Sequence, residues 1–229
     1  MDDRHYVLDY LKQELKTHLQ QSASPVSIKD IILPKSKITD DFLEKLQQHI
    51  PIDRIKQDKL ERLTHAYGKT YRDLWRIRQG KMGVVPDVIV YPIDENEVLY
   101  LVNFAVEHHV ELIPFGGGSC FSGGVEHIST TQRIKLTVNM RLMNNVLSVD
   151  TESNIARMQP GALGPEIEEQ LNSKGFTLGH FPDSFEFSTL GGWVATRSAG
   201  MQSDDYGKIE DMVISARMVT TEGVLVTRD

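Results

Sequence analysis

The sequence predicts an α+β fold, and three observations point to this class. Residues 1–80 are mostly polar and carry apolar residues at helical spacing. From Val84 onward, β-branched runs bounded by proline and glycine alternate with helical patterns. These strands and helices follow one another without strict alternation, which favours α+β over a doubly wound parallel sheet. We therefore divide the chain into a helical N-terminal segment, 1–80, and a mixed domain, 81–229.

Three helical patterns occupy the N-terminal segment. The first carries apolar residues at helical spacing over Tyr6–Leu19. Thr39 is a candidate N-cap for the second, which begins near Phe42. The third runs over Ile52–Ala66. We interpret all three as solvated helices with one packing stripe.

A strand–helix–strand unit opens the mixed domain. The stretch "VVPDVIVYP" predicts a short strand because β-branched residues lie between Pro86 and Pro92. Asp94, with Glu97 three residues later, predicts a capping box at the start of a helix. Val110–Pro114 is the next predicted strand. The glycine-rich stretch "FGGGSCFSGG" therefore begins directly past a strand end.

Further elements follow the glycine-rich stretch. Apolar or alternating runs predict three strands, 134–138, 146–149 and 155–158. A helix is predicted over 165–174, with Pro165 at its first position and Gly175 just past its end. The last segment predicts two strands joined near 221–223.

Charge and cysteine content exclude several classes of function. The 229 residues carry a formal net charge of −7 and no long basic run, so nucleic acid is a poor partner. The single cysteine excludes an internal disulfide framework and a multi-cysteine zinc site, and we predict no metal site. No run of about 18 apolar residues is present, so we expect no membrane-spanning segment.

The glycine-rich stretch has two interpretations. Successive main-chain N–H groups in a tight glycine turn form a concave anion site, whereas the alternative is a tight connection that binds nothing. A P-loop is excluded because Gly124 stands where lysine is required. The dinucleotide fingerprint starting at Gly116 is excluded because Phe121 stands where glycine is required. The stretch alone leaves both interpretations open.

Four more segments favour a ligand: "PDVIVYP", "QPGALGPEIEEQL", "GHFPDSFEFSTLGGWVATRSAG" and "YGKIEDMV". Together with the glycine-rich stretch they resemble the PCMH-type FAD-binding domain of the vanillyl-alcohol-oxidase superfamily. Within it, the resemblance is strongest to the alkyldihydroxyacetonephosphate synthase family and bacterial FAD-linked relatives. It extends from about Gly68 to the last residue. It implies a two-lobed domain that binds FAD over 81–229.

The resemblance also implies which residues contact FAD. The pyrophosphate is expected along the main chain of Pro114, Phe115, Gly116, Gly117, Gly118, Ser119 and Cys120. The flavin and ribityl regions are expected along Asp183, Ser184, Phe185, Glu186, Phe187, Ser188 and Thr189. A helix beginning near Gly191 is expected to add Gly191, Gly192, Thr196, Arg197, Ser198 and Ala199. The adenosine is expected near Ile209, Glu210 and Asp211.

Four of these positions carry a more detailed expectation. Ser119 stands where some relatives tether flavin through a histidine, so non-covalent FAD is expected. Cys120 is either a thiol near the cofactor or a small structural residue. Arg197 is either a phosphate ligand or an ion-pair partner. Trp193 is interpreted as packing.

His180 is the candidate catalytic residue. In the synthase family, the histidine at this motif position lies near the flavin, and imidazole suits proton transfer near neutral pH. The alternative is a histidine that only hydrogen-bonds a loop. Phe181 departs from the synthase pattern, in which an acidic residue usually follows the histidine.

Three functional hypotheses follow from the resemblance. The first is the FAD-binding portion of an enzyme of the synthase type, which exchanges acyl for alkyl on dihydroxyacetone phosphate through a flavin N5 adduct in ether-lipid synthesis. The second is an FAD-linked oxidase or dehydrogenase of a 2-hydroxy acid such as glycolate or D-lactate. The third is a non-catalytic FAD-binding fragment. The stretch "FSTLGGWVATRSAG" favours the first.

The family pattern continues past Asp229 with a second glycine-rich segment and a substrate-binding cap. We therefore expect the chain to be a piece of the domain, or one half of a two-chain protein, with weak or no catalysis alone. The expected partner is a small-molecule or lipid-like substrate, and a homodimer is left open. We expect a cytoplasmic location, at a membrane surface if the substrate is a lipid, or a peroxisomal one in a eukaryote.

Overall fold

The computed structural model describes residues 5–16, 24–128 and 130–227. Its helices are α1 (His5–Leu15), α2 (Asp40–Gln47), α3 (Lys59–Thr64), α4 (Tyr71–Arg78), α5 (Glu95–Glu107), α6 (Gly164–Asn172), α7 (Leu190–Thr196), α8 (Ser203–Tyr206) and α9 (Ile209–Met212). Its strands are β1 (Ile55–Lys56), β2 (Val88–Val90), β3 (Glu111–Phe115), β4 (Lys135–Asn139), β5 (Val146–Asp150), β6 (Ile155–Met158), β7 (Arg217–Thr220) and β8 (Gly223–Val226). This mixture confirms the predicted α+β class.

A four-stranded sheet with the order β1-β2-β4-β3 forms the first lobe, together with the helices packed on it. Strands β2 and β3 run parallel to β4, and β1 runs antiparallel to β2. All three residues of β2 and all five of β4 are buried, as expected for strands covered on both faces. Because parallel strands end at the same edge, Phe115 and Asn139 lie side by side, and the glycine-rich stretch begins there.

Strand β1 corrects the helix predicted over 52–66. The structure has a 3-10 turn at Ile52–Arg54, then β1, and a helix only over Lys59–Thr64. Asp58 starts that helix because its carboxylate accepts from the N–H groups of Leu60 and Glu61, each at 3.1 Å. Ile55 instead pairs with Val90 at the edge of the sheet and is buried. Apolar spacing alone did not separate these two elements.

The core of the first lobe draws on both predicted regions of the chain. Phe42, Leu46 and Ile50 from α2 and its C-terminal end pack in one cluster with Val88 and Leu136 of the sheet. The packing is therefore continuous across residue 80, and the division placed there stays a prediction.

Both predicted N-caps form, but the reciprocal bond of the capping box at Asp94 does not. The Thr39 hydroxyl accepts from Phe42 N at 3.3 Å, and the Asp94 carboxylate accepts from Glu97 N at 2.9 Å. The Glu97 carboxylate accepts from Ile93 N at 2.9 Å rather than from Asp94 N. Its other oxygen accepts from Arg54 Nη2 at 2.7 Å, so Glu97 links α5 to the turn before β1.

The second lobe consists of the antiparallel pair β5–β6 with α6, α7 and α9. Its core contains Ala162, Ile167, Leu171, Trp193 and Ile209. The predicted β7–β8 hairpin also forms, and Arg217 on β7 makes two 2.7 Å contacts with Glu95 of α5. None of the helices over the described ranges has the length and apolarity needed to cross a membrane.

Arg141 joins the two lobes. It lies in the 3-10 turn Met140–Leu142 that follows β4. Its guanidinium donates to both carboxylate oxygens of Glu166 on α6, at 2.9 and 2.8 Å, and to the carbonyl of Gly161. This hydrogen-bonded pairing with Arg141 lowers the pKa of the Glu166 carboxyl. A two-point contact of this kind fixes orientation as well as distance.

We expect the Arg141–Glu166 pair to stabilise the fold above pH 5 and to lose its effect in acid. A carboxyl group whose folded pKa is depressed contributes stability above its unfolded pKa of about 4.3, and that contribution disappears as the pH falls through the folded value. Glu166→Gln should lower the free energy of unfolding by about 1–3 kcal/mol at pH 7 and by much less at pH 3.

Urea denaturation at the two pH values measures this difference. Glu168→Gln is the matched control, because Glu168 lies on the same helix and bonds the Thr177 hydroxyl and the Leu178 N–H. An equal loss for Glu166→Gln at both pH values would contradict the assignment.

Candidate functional site

The glycine-rich stretch lies directly against the segment 187–189. A Cβ atom built on Gly117 would fall 1.5 Å from the Phe187 carbonyl oxygen, and one on Gly116 would fall 2.2 Å from the Thr189 hydroxyl. No side chain fits at either position without displacing the neighbouring chain. The structure thus brings together the two segments that the sequence analysis assigned to the pyrophosphate and the flavin.

Main-chain N–H groups at the tip of the stretch lack internal partners. Among the described residues, no acceptor is found for the N–H groups of Gly116, Gly117, Gly118 and Ser119. Gly118 is buried and adopts φ +67°, the left-handed conformation that turns successive N–H groups toward one side. Unpaired donors at a half-buried turn are costly unless a ligand or water accepts from them. Successive N–H groups without an acceptor are also found in the anion-binding concavities of other proteins.

The end of the stretch is anchored to the segment that leads into α4. Lys69 N donates to the Cys120 carbonyl at 2.6 Å, and a Cβ on Gly68 would fall 1.9 Å from that same oxygen. Gly68 therefore has to be glycine for this contact to form. The contact holds the C-terminal side of the glycine turn against the first lobe.

The Cys120 thiol is turned toward its own loop. Its sulfur lies 3.3 Å from the Ser122 hydroxyl. Burial raises the pKa of the thiol, but hydrogen bonds from that hydroxyl and from the N–H groups of Ser122, Gly123 and Gly124 outweigh burial, and the net pKa is below its usual value. The geometry favours the structural interpretation of Cys120, since the loop itself satisfies the sulfur.

The segment 182–189 is a compact turn with an exposed and a buried side. The side chains of Asp183, Glu186 and Phe187 are exposed, whereas Ser188 and Thr189 are buried. The Ser188 hydroxyl donates to the Ser184 carbonyl at 2.8 Å and accepts from Trp193 Nε1 at 2.6 Å. Its hydrogen is used inside the protein, so any contact of Ser188 with a cofactor would come through another atom.

Helix α7 of the second lobe is followed directly by Arg197. The N–H of Gly191 donates to the Pro160 carbonyl at 2.8 Å, and a Cβ there would fall 2.8 Å from the Pro160 ring. Gly192 and Thr196 are exposed, and the Thr196 hydroxyl donates to the Gly192 carbonyl. Arg197 adopts φ +54° and pairs with Glu210, which is the ion-pair alternative of the sequence analysis. A contact of Arg197 with phosphate stays a prediction.

The three residues expected near the adenosine have different surroundings. Ile209 is buried in the core of the second lobe, and its N–H donates to the Ser198 carbonyl at 3.1 Å. Asp211 accepts from Lys208 N at 2.8 Å. The Glu210 carboxylate pairs with Arg197, and of the three residues only the buried Ile209 side chain is removed from contact with a ligand by the core.

His180 is almost fully enclosed, with 1% of its surface exposed. Its Nε2 lies 3.2 Å from the Ser198 hydroxyl, and its ring meets the Trp193 ring edge-on at 5.0 Å between centroids. Burial lowers the pKa of the imidazole, so the ring is neutral at pH 7. Its Nδ1 has no hydrogen-bond partner among the described residues. A buried ring nitrogen in this condition is a polar group that a ligand can satisfy.

The sequence analysis did not predict the polar cluster that lies at the carboxyl edge of the sheet. Asn139 Nδ2 donates to His65 Nε2 at 2.7 Å, and the His65 ring lies 4.5 Å from the Phe115 ring, between centroids. Tyr91 donates to the Glu61 carboxylate at 2.7 Å beside them. The cluster supports the strand ends from which the glycine-rich stretch departs. The only sequence signal for this cluster is that Tyr91 and Asn139 lie at the ends of predicted strands.

Acidic and imidazole side chains form no group suited to a metal ion within the described ranges. The polar atoms of the site are instead main-chain N–H groups, hydroxyl groups and one imidazole. Such a set suits an anionic organic ligand better than a bare cation.

Comparison with known proteins identifies relatives of this arrangement. A family described as "FAD binding domain" matches residues 86–228. An alkyldihydroxyacetonephosphate synthase of Dictyostelium discoideum is 45% identical over 217 residues, which cover 95% of this chain and 35% of that protein. A solved structure of an alkyldihydroxyacetonephosphate synthase superposes with a TM-score of 0.88 at 44% identity, covering 97% of this chain and 42% of that one.

A more distant relative is the glycolate oxidase subunit GlcD of Bacillus subtilis. It is 27% identical over 191 residues, which cover 82% of this chain and 37% of that protein. The chain thus spans about a third of the length of the curated relatives it matches.

Proposed function

The chain belongs to the FAD binding domain family, with FAD as its cofactor, and from this premise we propose that it is the FAD-binding portion of a flavoenzyme that exchanges an acyl for an alkyl group on dihydroxyacetone phosphate. One observation carries the proposal. Gly116 and Gly117 pack against the segment 187–189, and no acceptor among the described residues is found for the N–H groups of 116–119. Helix α7, which follows that segment, places Trp193 against the buried imidazole of His180. The similarity to alkyldihydroxyacetonephosphate synthases supports the choice of reaction.

The residues present fit the diphosphate of FAD. A Cβ at Gly116 or Gly117 would clash with the Thr189 hydroxyl or the Phe187 carbonyl oxygen, so glycine is what lets the turn pack against 187–189. Four N–H donors in succession match the several acceptor oxygens of a diphosphate. The small side chains on the exposed side of α7 leave room for an aromatic ring system. When bound, FAD supplies an isoalloxazine whose N5 accepts or donates electron pairs.

Within this proposal His180 transfers a proton at Nδ1. The ring is neutral because burial lowers its pKa, and it keeps one nitrogen unpaired. A neutral imidazole with an open nitrogen can accept a proton from a reacting hydroxyl group and return it. Ser119 offers no imidazole for a covalent flavin link, which supports non-covalent FAD.

The proposal is tested by FAD titration and by product analysis. We expect the purified chain to bind FAD at one site with quenching of flavin fluorescence, and denaturation to release the flavin intact. In the longer protein that carries this chain, acyl-dihydroxyacetone phosphate with hexadecanol should yield the alkyl product. No FAD uptake by the folded chain would overturn the proposal.

The second candidate is oxidation of a 2-hydroxy acid, which the similarity to the glycolate oxidase subunit supports. Anaerobic bleaching of the bound flavin by glycolate or D-lactate, without formation of an ether product, would establish that alternative. The same two assays therefore distinguish the two reactions.

The lipid-like substrate, a homodimer and a cytoplasmic location at the membrane surface remain part of the proposal. Light scattering after size-exclusion chromatography measures the oligomeric state, and liposome flotation measures attachment to lipid. A monomer that stays with the soluble fraction would remove the homodimer and the membrane attachment from the proposal.

A further inference from the structure

The two nitrogen atoms of the His180 imidazole have different neighbours. Nε2 faces the Ser198 hydroxyl at 3.2 Å, whereas Nδ1 faces no partner among the described residues. Because the residue is 1% exposed, bulk water does not make the two nitrogens equivalent. The ring therefore has one defined side and one open side.

Ser198 is itself fixed on both sides of its main chain. Its N–H donates to the Trp193 carbonyl at 3.0 Å, and its carbonyl accepts from Ile209 N at 3.1 Å. These bonds attach it to the end of α7 and to the start of α9. The hydroxyl group of Ser198 thus occupies a position set by two helices rather than by a mobile loop.

The second contact of this hydroxyl selects one tautomer. Ser198 Oγ lies 3.3 Å from the Ala199 carbonyl oxygen, to which it can only donate. If the hydroxyl hydrogen points to that carbonyl, the oxygen accepts from His180 Nε2–H at 3.2 Å. Only this arrangement uses both contacts. This arrangement leaves Nδ1 unprotonated, with a lone pair that can accept a proton.

Trp193 restricts the ring plane as well. Its indole meets the imidazole edge-on, and its Nε1 donates to the Ser188 hydroxyl at 2.6 Å, so the indole cannot rotate freely. Ring rotation of His180 would break the contact with Ser198 and disturb the contact with Trp193. Both neighbours therefore favour one ring orientation.

We propose that Ser198 is a positioning residue that holds His180 in the Nε2–H tautomer and leaves the Nδ1 lone pair free for a ligand. The tautomer rests on contacts within this chain alone, whereas the identity of the ligand rests on the proposed function. Removal of the hydroxyl group should release the tautomer.

The test is nitrogen NMR of the chain labelled with [15N]histidine, with His180→Gln used to assign the signals. We expect wild-type His180 to show a protonated Nε2 and an unprotonated Nδ1. Ser198→Ala should show a mixture of tautomers, and Ser198→Thr, which restores a hydroxyl, should return the wild-type pattern. Ser203→Ala, which removes a nearby hydroxyl bonded to Gly200 N, should leave the signals unchanged.

Addition of FAD to wild type should shift the Nδ1 signal. A wild-type tautomer pattern in Ser198→Ala would overturn the proposal, as would an Nδ1 signal that saturating FAD leaves unmoved. Failure of wild type to bind FAD would overturn the proposed function, while the tautomer spectra would still decide the role of Ser198.

Discussion

Gly117→Val is expected to reduce FAD affinity by at least about 100-fold, which corresponds to ~2.7 kcal/mol. The new side chain would have to occupy space within 1.5 Å of the Phe187 carbonyl oxygen. Because that atom belongs to the main chain, the two segments must separate for valine to fit. The N–H groups of 116–119 would then lose their position relative to 187–189. Titration of the variant with FAD, followed by flavin fluorescence, measures the loss.

A matched variant separates this effect from general damage to the loop. A Cβ on Gly124 would meet the Cys120 sulfur at 3.5 Å, an ordinary contact, so Gly124→Ala should bind FAD within about threefold of wild type. Circular dichroism shows whether the first lobe of Gly117→Val remains folded. Wild-type FAD affinity in a folded Gly117→Val chain would contradict the assigned geometry.

Trp193→Ala is expected to lower the free energy of unfolding by about 3–5 kcal/mol. The indole is buried in the core of the second lobe, stacks on Phe185 at 6.5 Å between centroids and donates to Ser188. Alanine would leave a cavity and remove the edge-on neighbour of His180. The change is a large fraction of the total stability of an ordinary domain, which is about 5–15 kcal/mol, and thermal or urea denaturation measures it.

Trp193→Phe separates packing from hydrogen bonding at this position. Phenylalanine keeps an aromatic ring beside Phe185 and His180 but cannot donate to Ser188. We expect a loss of about 1–2 kcal/mol, between a lost hydrogen bond and an unsatisfied buried hydroxyl. If alanine and phenylalanine destabilised the lobe equally, the stability would come from the hydrogen bond and the packing account of Trp193 would be wrong.

Most of the fold followed from local sequence. Thr39, Asp94 and Gly175 mark helix ends in the structure, because capping and left-handed turns depend on one or two residues. Strands β3 to β6 lie within a residue or two of their predicted bounds. The error at 52–66 has a tertiary cause: Ile55 is drawn into the sheet by pairing with Val90, a contact 35 positions away in the chain.

The candidate site was only partly accessible from sequence. The glycine-rich stretch and the 183–199 region were found through motif resemblance, and their contact is a property of the folded chain. The internal use of the Ser188 hydroxyl and the burial of Ile209 depend on neighbours distant in sequence or on another helix. The cluster around His65 and Asn139 has no local pattern, because its members come from separate elements that meet only at the sheet edge.

The close contact of Gly116 and Gly117 with 187–189 affects what a glycine run in a homologous sequence can indicate. These two positions are constrained by the protein's own chain, so selection would preserve them even in a descendant that had abandoned its flavin. A glycine run that is retained in a distant homologue is therefore weak evidence that the homologue still binds a cofactor. The main-chain N–H groups of 118 and 119 and the Nδ1 atom of His180 are stronger indications of a cofactor, because no partner is found for them among the described residues.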